Sequence, residues 1–303
     1  MDILVAIALG IIEGITEFLP VSSTAHLRIA QGWLFHQSMD DPFWKMFAIV
    51  IQFGAILCLP TYFWSRIMKL IRTFPRGENG DRTIFTHPLS LVMIGFACTS
   101  VPALLLKKVI SANLENLQVI GAALLIGGAV MWAVDALFQS PKTLEMEKIN
   151  LLQAIWIGLV QTLAAVFPGT SRSMATIAAG QTAGLSRATA LEFSFFLSMP
   201  TMAAACLYDL YKSLKPSHDV AAVPVHMTPY LWFILLVGVV VSYIVALVVV
   251  AWFMHWVRRR GFVPFAVYRI ILGAVLLIVL RNQTQPAPVA VDSQPAITYS
   301  LMP

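Results

Sequence analysis

Two acidic residues near the start of the chain could carry chemistry. Glu13 and Glu17 lie four residues apart within an otherwise apolar stretch, so on a helix their carboxylates share one face. Two carboxylates in an apolar environment repel each other, and both ionise only when a proton, a divalent cation or an arginine compensates their charge. The pair therefore predicts a functional site that binds a cation or a cationic group. The alternative is a polar patch that only satisfies nearby backbone groups.

Three hydroxyl residues and a histidine follow shortly afterwards. Ser22, Ser23 and Thr24 come after Pro20, at the predicted N-terminus of a second helix. One hydroxyl suffices as an N-cap, and the free N–H groups of a helix N-terminus bind phosphate well. His26 lies three residues beyond Ser23, within reach of the same face. We therefore interpret Ser23 as a candidate nucleophile and His26 as a candidate proton-transfer group rather than a structural histidine.

An arginine stands in a similar setting in the second half of the chain. Arg172 lies between Ser171 and Ser173, after Pro168 and within an apolar stretch. An arginine at membrane depth must be paired or bound to an anion, and its planar guanidinium can hold two phosphate oxygens at once. A nucleophile, a proton-transfer group, an anion clamp and a carboxylate pair together indicate phosphoryl transfer, where catalysis rests on positioning and charge stabilisation.

The elements that must position these residues are predicted to lie in a membrane. Of the 303 residues, 58% are hydrophobic and only 12% are charged, whereas a soluble domain has about 25% charged residues. The net charge of +5 comes from basic residues in short loops, which indicates membrane topology rather than a nucleic-acid partner. Apolar runs of about 20 residues can cross a bilayer, and six are predicted to do so, at about 43–64, 88–106, 117–138, 189–210, 229–254 and 262–281.

Two further apolar segments, residues 2–35 and 151–184, are interrupted near the middle by the polar residues described above. Each half is too short to cross the bilayer alone. Each segment is therefore predicted to be re-entrant, entering and leaving on the same side. Irregular backbone at membrane depth must be buried in protein or line a wet cavity, so the two interruptions are expected to lie in the interior of the fold.

The two broken segments also match each other. Residues 10–23 read Gly-x-x-Glu-x6-Pro-x-x-Ser, and residues 158–171 read Gly-x-x-Gln-x6-Pro-x-x-Ser, with no gap between the patterns. This agreement indicates an internal duplication. In this register Arg172 corresponds to Thr24, so the two segments are expected to bring different chemistry to one place.

Basic loops indicate the orientation. Arginines and lysines cluster in residues 65–87 and 255–261, and such loops favour the cytoplasm. The first broken segment then lies on the outer side and the second on the inner side, an inverted repeat with its site where the halves meet. The predicted fold class is an all-α polytopic membrane protein with about six transmembrane helices plus two re-entrant helix–loop–helix segments, in one domain over residues 1–281. Residues 282–303 are predicted to form a disordered tail.

At these residues the sequence resembles the undecaprenyl-diphosphatase family, the bacitracin-resistance type of membrane phosphatase. The resemblance covers residue 1 to about 281, and its first motif is long and specific. The matching stretches are Glu13 with the run Gly14-Ile15-Thr16-Glu17-Phe18-Leu19-Pro20-Val21-Ser22-Ser23-Thr24-Ala25-His26, then Pro168-Gly169-Thr170-Ser171-Arg172-Ser173, Glu192-Phe193-Ser194-Phe195 and Pro264-Phe265-Ala266-Val267-Tyr268-Arg269.

The resemblance implies hydrolysis of undecaprenyl diphosphate to undecaprenyl phosphate and inorganic phosphate. This reaction recycles the lipid carrier for cell-wall synthesis and confers bacitracin resistance. The resemblance further implies a location in the bacterial inner membrane, a site facing the periplasm, and a divalent cation, Mg²⁺ or Ca²⁺. The expected partners are the polyprenyl diphosphate substrate and membrane lipid. The oligomeric state is left open, with a homodimer among the alternatives.

The resemblance also assigns residues to the site. The catalytic positions it implies are Glu13, Glu17, Ser23, His26 and Arg172, the substrate-binding positions are Ser22, Thr24, Ser171, Ser173 and Arg172, and the metal positions are Glu13 and Glu17. Two positions depart from the family pattern, because Ala25 and Met174 stand where glycine is usual. Ala25 is a small change on a helix, whereas Met174 could narrow the site or change the seating of the lipid tail.

Three alternatives remain open or are disfavoured at this stage. The nucleophile is either Ser23 or a water molecule, since motif spacing fits both. A membrane transporter or lipid flippase is the second function considered, because inverted repeats with broken helices are common in transporters. An acid-phosphatase-like lipid phosphatase is disfavoured. In that class a histidine and an aspartate follow the arginine motif at fixed spacing, whereas here the first histidine after Arg172 is His218.

Overall fold

The computed structural model describes residues 2–35, 41–114, 116–214 and 227–284. Over these ranges the chain is helical and has no β-strand, as predicted. The helices are α1 (Asp2–Thr16), α2 (Ser23–Ile29), α3 (Pro42–Ile56), α4 (Cys58–Tyr62), α5 (Trp64–Arg72), α6 (Pro88–Leu105), α7 (Lys107–Asn113), α8 (Leu117–Leu137), α9 (Leu151–Val166), α10 (Arg172–Thr182), α11 (Arg187–Leu214), α12 (Pro229–Arg260) and α13 (Val263–Thr284). A π-helical turn, Ala30–Leu34, continues α2, and a 3-10 turn, Met146–Lys148, precedes α9.

All six predicted spans are confirmed as helices that are long and apolar enough to cross a membrane. They are Pro42–Tyr62, Pro88–Leu105, Leu117–Leu137, Arg187–Tyr211, Pro229–Arg260 and Val263–Asn282. The first of them combines α3 and α4, which are separated only by Leu57. The chain is therefore a multi-pass membrane protein.

Three segments predicted to be irregular are helical in part. Residues 65–87 begin with the amphipathic helix α5, which buries Leu70 and ends in basic residues. Residues 255–260 are the last turns of α12, because charged side chains can extend a helix beyond the apolar layer until a breaker ends it. That breaker is Gly261, whose φ is 71°. The helix α13 runs through Thr284, and the rest of the predicted tail lies outside the described residues.

The two broken segments are interrupted where the sequence predicts. The helices α1 and α9 have 15 and 16 residues, so each is roughly 22–24 Å long, short of a hydrocarbon core of about 30 Å. Non-helical residues 17–22 and 167–171 separate them from α2 and α10. The re-entrant path through the bilayer and the inverted repeat stay predictions.

Glycines let the first half of each broken segment pack closely on a long helix. A Cβ on Gly10 of α1 would lie 2.9 Å from the carbonyl oxygen of Gly238 in α12. The matching Gly158 of α9 lies even more tightly against the backbone of Gly95 in α6. Small residues of this kind allow close helix packing in membranes. The two matched glycines thus fix α1 on α12 and α9 on α6, which sets where the two interruptions lie.

Candidate active site

Glu17 joins the two broken segments. The hydroxyl of Ser23 donates a hydrogen bond of 2.5 Å to Oε2 of Glu17, and Nη2 of Arg172 lies 3.6 Å from Oε1 of the same carboxylate. Glu17 is buried and follows the last residue of α1, with its backbone N–H still bonded to the carbonyl of Glu13 at 2.9 Å. The structure thus brings Glu17, Ser23 and Arg172 together, from sequence positions about 150 residues apart.

The second half-helices begin with the same cap. Ser22 and Ser171 are the N-caps, with φ of 74° and 69°, a left-handed conformation that is uncommon outside glycine and often marks a functional site. Their hydroxyls accept the backbone N–H three residues on, at 3.5 and 3.4 Å. The cap geometry therefore pairs Ser23 with Arg172 as the first helical residues. The gapless sequence alignment paired Arg172 with Thr24, so the alignment given by the caps differs from it by one residue here.

The guanidinium of Arg172 has unused donors beside the carboxylate of Glu17. Its Nη1 donates to the carbonyl of Ser194 at 3.4 Å, and the group lies over the ring of Phe18 with 6.0 Å to the centroid. Nε and Nη2 are buried and donate no hydrogen bond within the described part of the chain. Buried donors of this kind normally have a partner, so they offer a place for the oxygens of an anion.

Glu13 is the most deeply buried acidic residue of the site, with 1% of its surface exposed. Neither carboxylate oxygen has a hydrogen-bond partner among the described residues. Carboxylate oxygens are the ligands that Mg²⁺ and Ca²⁺ prefer, so Glu13 with the nearby Glu17 fits a divalent cation. The described ranges contain no cluster of three or more histidine, cysteine, aspartate or glutamate residues that could hold a metal, so these two carboxylates would hold an ion only together with oxygens from other sources.

Both ring nitrogens of His26 are engaged away from Ser23. Nδ1 lies 2.7 Å from the carbonyl oxygen of Ser22, which can only accept, so Nδ1 carries a hydrogen. In the neutral ring Nε2 then accepts, and the hydroxyl of Tyr268 donates to it at 2.6 Å. Ser23 and His26 were expected to lie within reach of one helix face, and the structure gives Ser23 a carboxylate partner and His26 a phenol partner.

The remaining hydroxyls of the site hold the loops in place. Ser173 donates to the carbonyl of Leu19 at 3.0 Å and contacts the hydroxyl of Ser171 at 3.0 Å, so it ties the second interruption to the first. Ser22 and Ser171 are caps. Thr24 is half-buried beside them. These contacts leave Ser23 as the hydroxyl that is paired with a carboxylate.

Arg269 is a residue of the site that was not among the predicted positions, although it lies in a stretch that carried the resemblance. Its side chain is fully buried. Nη1 donates to the carbonyl of Pro20 at 3.1 Å, and Nη2 donates to the carbonyls of Ala123 and Gly169 at 3.1 and 3.0 Å. One guanidinium thereby connects both interruptions to α8. An arginine inside an apolar span is the sequence signal that could have found it.

The two residues that depart from the family pattern are both buried. Ala25 is fully buried in α2, against Ile120 and Leu124 of α8. Met174 is 4% exposed, and its terminal methyl group would lie 2.8 Å from a Cβ on Gly127. Met174 therefore fills space between α10 and α8, next to Arg269.

An apolar groove opens beside His26. Its volume is about 430 Å³, and Tyr268 and His26 are the polar side chains along it. The other lining residues are Ile12, Ile29, Ala30, Trp33, Leu34 and Leu272. His26, whose Nδ1 is bonded to the carbonyl of Ser22, therefore also lines a surface suited to a hydrocarbon chain.

Two ion-paired clusters stabilise other parts of the fold. Arg66 pairs with Glu147 at 2.6 Å and with Glu192 at 3.1 Å, which joins α5, the 3-10 turn and α11. Asp135 pairs with Arg187 at 2.6 Å. Glu192 lies in one of the stretches that carried the resemblance, and its partner shows that it has a structural contact there.

Comparison with known proteins gives consistent results. Residues 6–275 match a family model described as bacitracin resistance protein BacA. The chain is similar to the undecaprenyl-diphosphatase of Koribacter versatilis, with 58% identity over 277 residues, 90% of this chain and 96% of the relative. It is also similar to the undecaprenyl-diphosphatases of Rhizobium etli, with 41% identity over 91% of this chain and 97% of the relative, and Flavobacterium johnsoniae, with 40% identity over 92% of this chain and 96% of the relative.

Proposed function

Because this chain belongs to the BacA family of bacitracin resistance proteins and dephosphorylates undecaprenyl diphosphate, we propose that the reaction takes place where Glu17 meets Ser23 and Arg172. The observation that carries this proposal is the pair of contacts on one buried carboxylate, 2.5 Å to Ser23 and 3.6 Å to Arg172. The relatives do not favour the transporter or flippase alternative.

We assign the first step to Ser23. Glu17 accepts the hydroxyl proton, Oγ of Ser23 forms a bond to the terminal phosphorus, and the bond from that phosphorus to the bridging oxygen breaks. Undecaprenyl phosphate leaves, and a water molecule then cleaves the serine phosphate to release inorganic phosphate. Arg172 binds the non-bridging oxygens through the donors that lack partners, because charge stabilisation is the main contribution of a protein to phosphoryl transfer.

The competing route is direct attack by water, with Glu17 as the base and Ser23 as a hydrogen-bond donor. Rapid quenching after mixing with substrate labelled in the terminal phosphate separates the two routes. The serine route predicts label on the wild-type protein and none on Ser23→Ala. Ser198→Ala, which removes a buried hydroxyl bonded to a backbone carbonyl at 2.7 Å elsewhere, should label like wild type. An unlabelled wild-type protein that still releases phosphate would support the water route.

In this proposal His26 is the proton-transfer group, and it donates a proton to the phosphate that stays on the lipid. Its Nε2 faces Tyr268 and the apolar groove, where the isoprenoid chain would lie. The imidazolium form can give its Nε2 proton to the phosphate that leaves with the lipid, once an oxygen of that phosphate takes the place of the Tyr268 hydroxyl at Nε2. Glu17 and His26 then act on opposite sides of the phosphorus, one removing a proton and the other supplying one, as general acid–base catalysis requires.

The cofactor we propose is a divalent cation, Mg²⁺ or Ca²⁺, held by Glu13 and Glu17. When bound, the cation would offset the negative charge of the diphosphate. The test uses Mn²⁺ as a paramagnetic probe and measures its binding to the purified protein directly. Glu13→Gln should weaken binding by about tenfold or more, whereas Glu145→Gln, a change at an exposed carboxylate, should not alter it. Equal Mn²⁺ affinity in the Glu13 variant and the wild type would refute the assignment.

We propose an inner-membrane location with the site facing the periplasm. The support is the position of the arginines at the ends of α5 and α12, Arg72 and Arg258–Arg260, which favour the cytoplasm. Cysteines introduced at exposed positions test the orientation. Gln118→Cys, at the start of α8, should react with an impermeant thiol reagent from the periplasmic side, and Gln139→Cys, beyond its end, should not.

A homodimer also stays a prediction. It concerns the assembled protein and is separate from the chemistry above. Light scattering of the detergent-solubilised protein, corrected for bound detergent, distinguishes 33.4 kDa from twice that mass.

A further inference from the structure

His26 and Tyr268 form a close pair. The hydroxyl of Tyr268 lies 2.6 Å from Nε2 of His26, and the two rings are stacked, with 5.6 Å between centroids and 12° between planes. The other ring nitrogen, Nδ1, is held by the carbonyl of Ser22 at 2.7 Å. The imidazole of His26 is thus fixed at both nitrogens and along one face.

A tyrosine on a membrane-facing helix usually has a simpler explanation, since its hydroxyl reaches the aqueous interface while the ring lies among lipid. Tyr268 is 44% exposed, yet its hydroxyl is directed at His26. Its neighbour Arg269 contacts the loops at Pro20 and Gly169. Two successive residues of α13 therefore form hydrogen bonds to the histidine and to the two loops, which argues that Tyr268 has a role in the site.

We propose that Tyr268 is a positioning residue of the phosphatase reaction, which holds Nε2 of His26 at the mouth of the apolar groove. A phenol hydroxyl both donates and accepts, so it can donate to the neutral imidazole and accept from the imidazolium. The ring therefore keeps one orientation in both protonation states. In the imidazolium the Nε2 proton is donated to the Tyr268 hydroxyl, beside the groove lined by Ile12, Ile29 and Leu272, and an oxygen of the lipid phosphate would receive it by replacing the hydroxyl at Nε2.

This inference rests on the proposed function of His26, but it makes a claim of its own. If Tyr268 acts only through His26, removing its hydroxyl has no effect on the reaction rate once the imidazole is gone. A residue that merely stabilised the fold, or that bound the lipid chain directly, would still matter in that background. The two roles can therefore be separated by a double-mutant cycle.

The experiment measures phosphate release from undecaprenyl diphosphate in detergent, over a range of pH, for Tyr268→Phe, His26→Gln and the double variant. Tyr268→Phe keeps the ring and loses the hydroxyl. We expect kcat to fall about two- to tenfold, the effect of one neutral hydrogen bond, with KM unchanged and with a shifted pH profile. The double variant should be as slow as His26→Gln alone. Tyr243→Phe, which removes a hydroxyl bonded to Thr61 at 3.2 Å on another helix, is the matched control and should behave like wild type.

Three results would overturn the inference, and they are distinguishable. If His26→Gln is slow but Tyr268→Phe slows it further by the same factor as in the wild type, Tyr268 acts independently and only the positioning role is lost. If His26→Gln keeps the wild-type rate and pH profile, the proposed function of His26 fails and the role of Tyr268 fails with it. A Tyr268→Phe change confined to KM would assign the residue to chain binding instead.

Discussion

Ser23 donates its hydroxyl hydrogen bond to Oε2 of Glu17 across 2.5 Å. Hydrogen bonds to an ionised carboxylate are shorter and stronger than neutral ones, and 2.5–2.7 Å is their usual range for a hydroxyl donor. A nucleophile and its base must lie within this reach. The carboxylate, rather than the imidazole of His26, is therefore the group in position to accept the proton of Ser23.

Glu17→Gln should slow the reaction strongly. Glutamine keeps the shape of the side chain but cannot accept a proton from Ser23, and loss of a general base costs about 10²–10⁴-fold in rate. The measurement is kcat for phosphate release by the purified variant, with thermal unfolding as the check on folding. Glu145→Gln on the exposed surface provides a carboxylate control. A folded Glu17→Gln protein with kcat within threefold of wild type would show that another group takes the proton.

Arg172→Lys should retain only part of the activity. Lysine keeps the positive charge, but it lacks the planar fork that binds two phosphate oxygens. Charge-assisted hydrogen bonds contribute about 1.5–3 kcal/mol, so we expect kcat/KM to fall about 10- to 100-fold, and to fall further in Arg172→Ala. The matched control is Arg187→Lys, because Arg187 is paired with Asp135 outside the site. Equal losses in the lysine and alanine variants would mean that the charge of Arg172 makes no contribution.

Arg269→Met should destabilise the protein by more than the loss of a single hydrogen bond would. Three backbone carbonyls share this guanidinium, and a buried acceptor left without a donor costs about 1–3 kcal/mol. The measurement is the thermal midpoint of unfolding in detergent. Arg260→Met, at an exposed arginine, should change it little, as surface substitutions usually lie within about 0.5 kcal/mol. An unchanged midpoint in Arg269→Met would show that the three carbonyls find other donors.

Acid should weaken the cluster around Arg66. Burial raises the pKa of Glu147, but the hydrogen bond and the charge of Arg66 outweigh burial and hold that pKa below its ordinary value. A carboxylate with a lowered pKa in the folded state stabilises the fold above its unfolded pKa, and this contribution is lost as the pH falls through the lower, folded value. The thermal midpoint of the wild type should therefore drop between about pH 5 and pH 3.

Glu147→Gln tests this pH dependence. The variant lacks the titrating group, so its midpoint should be lower than that of wild type at neutral pH and should fall less on acidification. Glu78→Gln changes an exposed carboxylate, 65% exposed and paired with Lys69, and should follow the wild-type curve. Parallel curves for wild type and Glu147→Gln would contradict the role given to this pair.

The parts of the fold that depend on local residue types could be predicted from the sequence. Apolar runs set the six spans, and Pro20 and Pro168 with their polar neighbours set the two interruptions. The ends of helices were less predictable. Charged residues such as Arg258 continue α12 until Gly261 ends it, and no local pattern fixes how far a helix extends beyond the apolar layer.

The contacts within the site were harder to predict, because they join residues that are distant in the sequence. The spacing of Ser23 and His26 indicated a shared helix face, but it gave no sign of Tyr268, which lies 242 residues from His26 in the sequence and is bonded to its Nε2. Arg269 was visible as a charge inside an apolar span, but its acceptors are backbone carbonyls, which have no signature in side-chain type. Residue types therefore suggested candidate members of the site, and the hydrogen-bond partners of each candidate could be found only from the fold.

The different spacing from proline to cap in the two interruptions has a geometric consequence. One residue separates Pro20 from Ser22, and two separate Pro168 from Ser171. A shift of one position turns a helical side chain by about 100°, enough to point a guanidinium toward a carboxylate or away from it. If both broken segments descend from one ancestral copy, a single inserted residue would have turned the side chains that follow it in one copy, and the two loops would have come to carry different chemistry without any new element.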